Sequence, residues 1–278
     1  MNEQPVRNVA VIGLGQMGGG IARNLDRAGL LGAVWDPNPE TMAPYSERGN
    51  VAVAPPADLP ADCRRLLFVV PGVAEITDCL TGPDAMLERM ESGGIILDLT
   101  TSDPDASGEL ATAAAARDVD YLDCGLTGGA AGAHAGTMTL MIGGEARAIE
   151  DCADILAALT SRFFHVGPSG AGHTLKLIHN MVLHTMFLAN VEGVRMAAGM
   201  GIDPETVIEV FNAGNARSFV SEVRFPNHIL SGTWDGRSRV ANLAKDLGLA
   251  TNLSNRKGAP TPFGDLTTSI LVRALEAG

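Results

Sequence analysis

Lys176, His179 and Asn180 fall in the stretch GAGHTLKLIHN, where a single lysine enters a segment that then turns almost wholly apolar. At helical spacing, positions i and i+4 share a face and i+3 is its neighbour, so the three polar side chains project together. Leu175, Leu177, Ile178, Met181 and Val182 surround them in sequence and leave little room for a water-facing side. Burial disfavours the ammonium form and lowers a lysine's proton affinity toward the range useful near neutral pH. Such a lysine is suited to acid–base chemistry. The competing reading is a solvated lysine at a helix start.

A second candidate is GLGQMGGG, residues 13–20, in which Gly13, Gly15 and Gly18 stand in GxGxxG spacing around Leu14, Gln16 and Met17. Glycines let the backbone approach a pyrophosphate, whose charge is favoured at a helix N-terminus. The pattern alone is only a glycine-rich turn. Here the apolar run VRNVAVI precedes it, a helical stripe of Ile21, Ala22 and Leu25 follows, and Asp36 closes the next apolar run. Asp36 can accept hydrogen bonds from both adenosine ribose hydroxyls and would repel a 2′-phosphate; WDPNP puts no arginine beside it, so NAD is the expected cofactor. The third candidate is Thr127, Gly128 and Gly129 in DCGLTGGAAGAHAGTMTLMIGG. Consecutive glycines expose backbone N–H groups that can form a concavity for a small anion such as a carboxylate, and Thr127 adds a hydroxyl. The same letters also suit a flexible loop.

The elements that must position these residues change character along the chain. Strand-like runs occur at 6–12, 30–36, 51–54, 65–70, 94–99, 119–124 and 138–143, with helical stretches between most of them, notably 103–117 and 145–159. That alternation predicts an α/β fold with a doubly wound sheet of the Rossmann type over 1–166. From 167 to 278 the pattern is helical, with helices expected at 173–198, 203–212, around 240–255 and at 263–275, so the second domain is all-α and a long helix joins it to the first. That helix is apolar on nearly every face, which implies burial against several partners and a homodimer or homotetramer.

The formal net charge of −12 argues against nucleic acid or an anionic membrane as partner. The four cysteines show neither CxxC nor the cysteine–histidine spacing of a metal site, so structural thiols in a reducing compartment are expected and no metal. Neither a signal peptide nor a membrane span is evident, and a cytoplasmic setting is expected.

Six motifs taken in order, GLGQMGGGIARNL, FVVPG, DLTTSDP, LTGGAAGAHAGTMTLMIGG, GAGHTLKLIHN and LAKDLGLA, resemble the β-hydroxyacid dehydrogenase superfamily. This includes 3-hydroxyisobutyrate dehydrogenase, tartronate semialdehyde reductase and 6-phosphogluconate dehydrogenase. The resemblance implies that Lys176 is the catalytic acid–base group and that Asn180 hydrogen-bonds the substrate. It further implies that Thr127, Gly128 and Gly129 hold the substrate's acid group, and that Val70, Pro71, Thr101 and Lys245 line the cofactor. Lys245 would close over it from the helical domain, with Asp246 supporting Lys245. The family's usual substrate loop has serine at the position of Thr127. Its shorter members usually have two asparagines where this chain has His179–Asn180, a pair nearer the phosphogluconate enzymes. The implied reaction interconverts a small anionic β-hydroxy acid and its aldehyde or keto acid. Tartronate semialdehyde, a sulfonate analogue or a sugar acid are alternative substrates. An imine reductase and a nucleotide-sensing protein without chemistry are the other readings; the first usually lacks the lysine.

Overall fold

The computed structural model describes residues 6–83, 85–236 and 239–277. The chain divides into two compact units, Met1–Lys176 and Leu177–Gly278. The first is built on eight strands: β1 Val9–Ile12, β2 Leu31–Trp35, β3 Ala52–Val53, β4 Arg65–Phe68, β5 Ile95–Asp98, β6 Asp120–Thr127, β7 Met138–Gly143 and β8 Thr160–Gly167. They lie in the order β3-β2-β1-β4-β5-β6-β7-β8. Every neighbouring pair is parallel except β6 and β7. The helices of this unit are α1 Gly18–Arg27, α2 Pro39–Ser46, α3 Val73–Thr81, α4 Met86–Arg89, α5 Pro104–Ala115, α6 Gly129–Ala135, α7 Ala146–Glu150 and α8 Ala153–Leu159. Helix α9, Ala171–Gly199, begins in this unit and continues into the next.

The apolar runs become strands because a parallel sheet is covered on both faces and wants side chains that are hydrophobic in both directions. Alternate residues separate cleanly. Val9, Val11, Leu67, Ile95 and Leu97 pack on one face with Ile21, Ala22 and Leu25 of α1 and Ile155, Leu156 and Leu159 of α8. Ala10, Ile12, Leu66, Phe68 and Ile96 face the other way, against Ile76 and Leu80 of α3 and Leu110 and Ala114 of α5. Each large apolar side chain so buried contributes roughly 1.5–3 kcal/mol. The doubly wound sheet expected from sequence is present.

Three local features differ from the expected pattern. β6 runs on to Thr127 because β7 folds back antiparallel along it, pairing Thr127 with Thr139. The helix expected over 145–159 is broken into α7 and α8 at Asp151–Cys152, where Cys152 leaves helical geometry. β8 is an additional edge strand whose central residues are exposed. Its mixture of Arg162 and His165 with Phe163 and Phe164 shows neither helical nor strand periodicity.

The second unit contains the remainder of α9, α10 Pro204–Ala213, a π-helical stretch Val220–Leu230, α11 Val240–Arg256 and α12 Pro262–Glu276. Asp203 caps α10, its carboxylate accepting the Thr206 N–H at 3.0 Å. Val194, Val207, Ile208, Val220 and Phe225 form one core and Leu243, Leu247 and Leu271 another, and every regular element among the described residues of this unit is helical. No helix among the described residues is long and apolar enough to cross a membrane.

Candidate active site

The loop after β1 is shaped by close backbone contacts. Gly13 has φ +93°, and a Cβ there would stand 2.3 Å from the Val69 carbonyl oxygen. At Gly18 a Cβ would meet the Gly13 carbonyl oxygen at 1.9 Å. Neither position accepts a side chain, so the loop stays low over the ends of β1 and β4. Gly15 is different: among the described residues, no atom beyond its chain neighbours lies within 4 Å of where its Cβ would stand. This open place at the start of α1 fits a dinucleotide pyrophosphate, which needs close backbone approach and a helix N-terminus. Leu14 is buried, whereas Gln16 is exposed and Met17 half-buried.

Asp36, just after β2, closes the loop from the other side. Its Oδ2 accepts the Leu14 N–H at 2.6 Å and its Oδ1 accepts the Asn38 N–H at 2.8 Å. The carboxylate therefore ties the glycine loop to the end of β2 and keeps further lone pairs as acceptors. Beyond β4 and β5, the Val70 N–H donates to Thr100 Oγ1 at 3.2 Å, while the Thr100 N–H donates to Asp98 Oδ1 at 2.8 Å. Val70 and Thr101 are half-buried and Pro71 is exposed along the same ends. Thr100 was not among the residues singled out by motif, yet it joins these two loops.

Thr127, Gly128 and Gly129 end β6 and open α6, with φ +116° at Gly128 and +60° at Gly129. Both glycines occupy the left-handed region that side chains disfavour. The loop is tied to the glycine-rich helix. A Cβ at Gly20 would lie 2.9 Å from the Ala133 backbone, and buried Asn24 donates from Nδ2 to the Ala133 carbonyl at 2.8 Å.

Lys176 sits beside this loop with 9% of its surface exposed. A Cβ at Gly125 would stand 2.6 Å from the Lys176 Cβ, so the lysine is seated on β6 two residues before Thr127. The expected burial of the lysine is found, but its setting differs: Leu175, Ile178 and Val182 are exposed. The lysine is on the covered side of a helix whose water-facing side is apolar.

Behind Lys176 lies a polar cluster, some of whose members fall within the motifs but received no role from them. Asp98, Asp123 and His173 are each 0% exposed. Tyr121 donates its hydroxyl to Asp98 Oδ2 at 2.7 Å, and His173 Nδ1 lies 2.8 Å from Ser107 Oγ. Burial pushes the carboxyls of Asp98 and Asp123 above the ordinary carboxylate range, against the opposing pull of His173. The available sequence signal was Asp98 in the otherwise apolar run GIILDL and Asp123 near the end of VDYLDC.

In the second unit Asn180 is buried and donates from Nδ2 to Asp246 Oδ2 at 2.8 Å. His179 Nδ1 lies 3.2 Å from Asn180 Oδ1. Lys245 Nζ is 3.7 Å from Asp246 Oδ1. Asp246 thus orients Asn180 as well as standing beside Lys245. Three cysteines, Cys63, Cys124 and Cys152, are buried, and burial pushes the thiols of Cys63 and Cys152 up to about 11 and about 12. They remain protonated and structural near neutral pH.

A Rossmann-type dinucleotide-binding unit followed by an all-helical unit is the class of protein that this fold and these loops define. The family described as the NAD binding domain of 6-phosphogluconate dehydrogenase matches residues 8–167. That described as NAD-binding of NADP-dependent 3-hydroxyisobutyrate dehydrogenase matches residues 170–278. L-threonate dehydrogenase of Cupriavidus necator is 31% identical over 98% of this chain and 92% of its own. A 3-hydroxyisobutyrate dehydrogenase structure from Salmonella typhimurium, 29% identical, superposes with a TM-score of 0.85 over 97% of this chain and 94% of its own. The 3-hydroxyisobutyrate dehydrogenase of Mycobacterium tuberculosis with L-serine shares the fold, with a TM-score of 0.88 at 24% identity over 95% of this chain and 92% of that one. The chain belongs to the β-hydroxyacid dehydrogenase superfamily of oxidoreductases. The group its first unit is built to hold is a nicotinamide dinucleotide.

Proposed function

We propose that this protein interconverts a small β-hydroxy acid of the 3-hydroxyisobutyrate kind and its aldehyde or keto acid, with NAD preferred and Lys176 as general acid–base group. The observation that carries the reading is the seat of Lys176: an almost fully covered amine, pressed on Gly125 of β6 and two residues from the Thr127–Gly129 turn. When bound, the cofactor supplies a nicotinamide that accepts or donates hydride. In oxidation the uncharged Lys176 Nζ takes the substrate's hydroxyl proton; in reduction the ammonium returns it to the developing alkoxide. Thr127 and the N–H groups of Gly128 and Gly129 hold the acid group, and the extra methyl of Thr127 narrows that place relative to serine. Asn180, one helical turn after Lys176 and oriented by Asp246, hydrogen-bonds the substrate beside His179. Gly13, Leu14, Gly15, Gln16, Met17 and Gly18 hold the pyrophosphate, Asp36 the adenosine ribose, and Val70, Pro71, Thr101 and Lys245 the rest of the cofactor. In this reading residues 1–166 bind the cofactor and 167–278 serve substrate binding and assembly, in a cytoplasmic homodimer or homotetramer.

A second reading keeps the site and changes the substrate to another small anionic carbonyl compound or hydroxy acid. The relative named for L-threonate supports that breadth. The intact Lys176 and Asn180 disfavour an imine reductase or a sensing protein without chemistry.

The test is turnover of purified protein on a panel of 3-hydroxy acids of three to six carbons, each with NAD and with NADP. At least about tenfold higher kcat/KM is expected with NAD, equivalent to ~1.4 kcal/mol. The matching alcohol without the acid group should lose several powers of ten, because the polar turn is left unpaired. Comparable rates on alcohol and acid would reject the anion-anchor assignment, and equal efficiency with both cofactors would reject the role of Asp36.

A further inference from the structure

The first turn of helix α9 is held to the sheet by a buried carboxylate of β6. Asp123 Oδ1 accepts the Gly170 N–H at 2.7 Å and Oδ2 accepts the His173 N–H at 2.8 Å, so a β6 side chain closes the N-terminus of the helix that bears Lys176. Three glycines clear the path. A Cβ at Gly172 would stand 2.2 Å from the Asp123 carbonyl oxygen, one at Gly143 would stand 2.4 Å from Asp123 Oδ1, and one at Gly125 would strike Lys176. With all three bare, the first turn of α9 lies directly on β6 and β7. The imidazole of His173 anchors the same turn laterally, with Nδ1 at Ser107 Oγ and Nε2 at 3.3 Å from the Asp98 carbonyl oxygen.

We propose that Asp123 is a positioning residue: by capping α9 it holds Lys176 at the depth and angle over Gly125 that proton transfer requires. The inference rests on Lys176 being the acid–base group. Stability alone does not account for the choice of residue. A serine or asparagine caps a helix as well as an aspartate does, and a fully covered carboxylate carries a desolvation cost that a neutral cap avoids. That cost is visible in the upward push on its proton affinity. What the carboxylate adds is two charge-assisted hydrogen bonds from one rigid group, and therefore a helix start with little freedom to shift. Displacements on the order of 1 Å at a reacting group cost about 100-fold in rate. Ionisable groups near Asp123 include Asp98, Tyr121, Cys124 and His173, with Lys176 seated two residues along β6 at Gly125.

Asp123→Asn tests this in the full-length protein, because the amide keeps the size but turns a donor toward one of the two N–H groups. The expected result is a fall in kcat of about 10- to 100-fold with NADH affinity and KM near wild type. The solvent deuterium isotope effect on kcat should rise and the limb of the pH–rate profile that vanishes in Lys176→Ala should move. A purely structural cap would lower the melting temperature and leave kcat and that limb in place, and this outcome overturns the proposal. Lys176→Ala is measured in parallel. If it remains active, the acid–base reading itself fails; if it is inactive while Asp123→Asn is normal, only the positioning role fails. Should Asp123→Asn not fold, Gly125→Ala is scored by the same readouts, since its methyl presses on Lys176 and on the Gly172 carbonyl of the capped turn while the Asp123 carboxylate itself is kept.

Discussion

Lys176 and Gly15 show how two residues of opposite size acquire functional meaning from what surrounds them. The lysine is nine-tenths covered, and the β6 residue on which it lands, Gly125, has no side chain. Lys176→Ala is expected to lower kcat by about 10²–10⁴-fold while NADH binding stays near wild type, and Lys176→Arg is expected to fail as well because a guanidinium does not release its proton. Fluorescence titration with NADH beside steady-state kinetics checks both; retention of a third of wild-type turnover in either variant would refute the assignment. Gly15 carries the complementary prediction. Its Cβ position is open, whereas that of Gly18 is blocked by the Gly13 carbonyl. Gly15→Ala should therefore fold with a melting temperature close to wild type yet bind NADH at least about tenfold more weakly, a loss of ~1.4 kcal/mol. Gly18→Ala should lose both. A Gly15→Ala protein with unchanged NADH affinity would show that the open place is not where the pyrophosphate lies.

At the scale of elements, α9 has a covered face and an exposed one. Its 29 residues span about 44 Å at ~1.5 Å per residue. His173, Lys176, Leu177, Asn180, His184, Asn190 and Val194 make the covered face. Leu175, Ile178, Val182 and Met186 make an exposed apolar stripe at three- and four-residue spacing. A continuous stripe of this kind on the long helix supports self-association. The protein is expected to elute as a dimer or tetramer, and Val182→Asp, which puts a charge in the middle of the stripe, should shift it toward monomer. Light scattering coupled to size-exclusion chromatography at micromolar concentration checks this. A strictly monomeric wild type would remove the assembly role from α9.

For the whole molecule the buried carboxyls make a statement about pH. Asp98 keeps its proton to higher pH in the native chain than in the unfolded one, because burial outweighs the favourable His173, Tyr121 and Thr100 interactions. A native pKa raised in this way means that the native state binds more protons than the unfolded state, so stability falls as pH rises from the ordinary carboxylate range, about pH 4, to the raised value, and is level beyond it. Asp98→Asn removes that titration while its amide oxygen can still accept from Thr100. The melting temperature of the variant relative to wild type should therefore be more favourable at about pH 8 than at about pH 5. A difference independent of pH would mean that Asp98 ionises like an exposed carboxylate.

What the amino-acid sequence determined by itself was whatever depends on near neighbours in the chain. Apolar runs ended by glycine mark the parallel strands, the GxGxxG spacing marks the turn into α1, and the four-residue interval of Lys176 and Asn180 places both on one side of a helix. Each follows from local periodicity and sterics. Tertiary structure decided what depends on residues far apart in sequence. Asp98, Ser107, Tyr121, Asp123 and His173 come from two strands and two helices, and the pairing of β5 with β6 together with the packing of α5 and α9 assembles them. The same holds for Gly125, whose lack of a side chain matters only because Lys176 lies against it. A helix that reads as apolar all round cannot reveal which side will be covered. The exposed stripe at Leu175–Met186 was settled when the polar side chains of Lys176 and Asn180 turned inward to partners that local sequence does not specify.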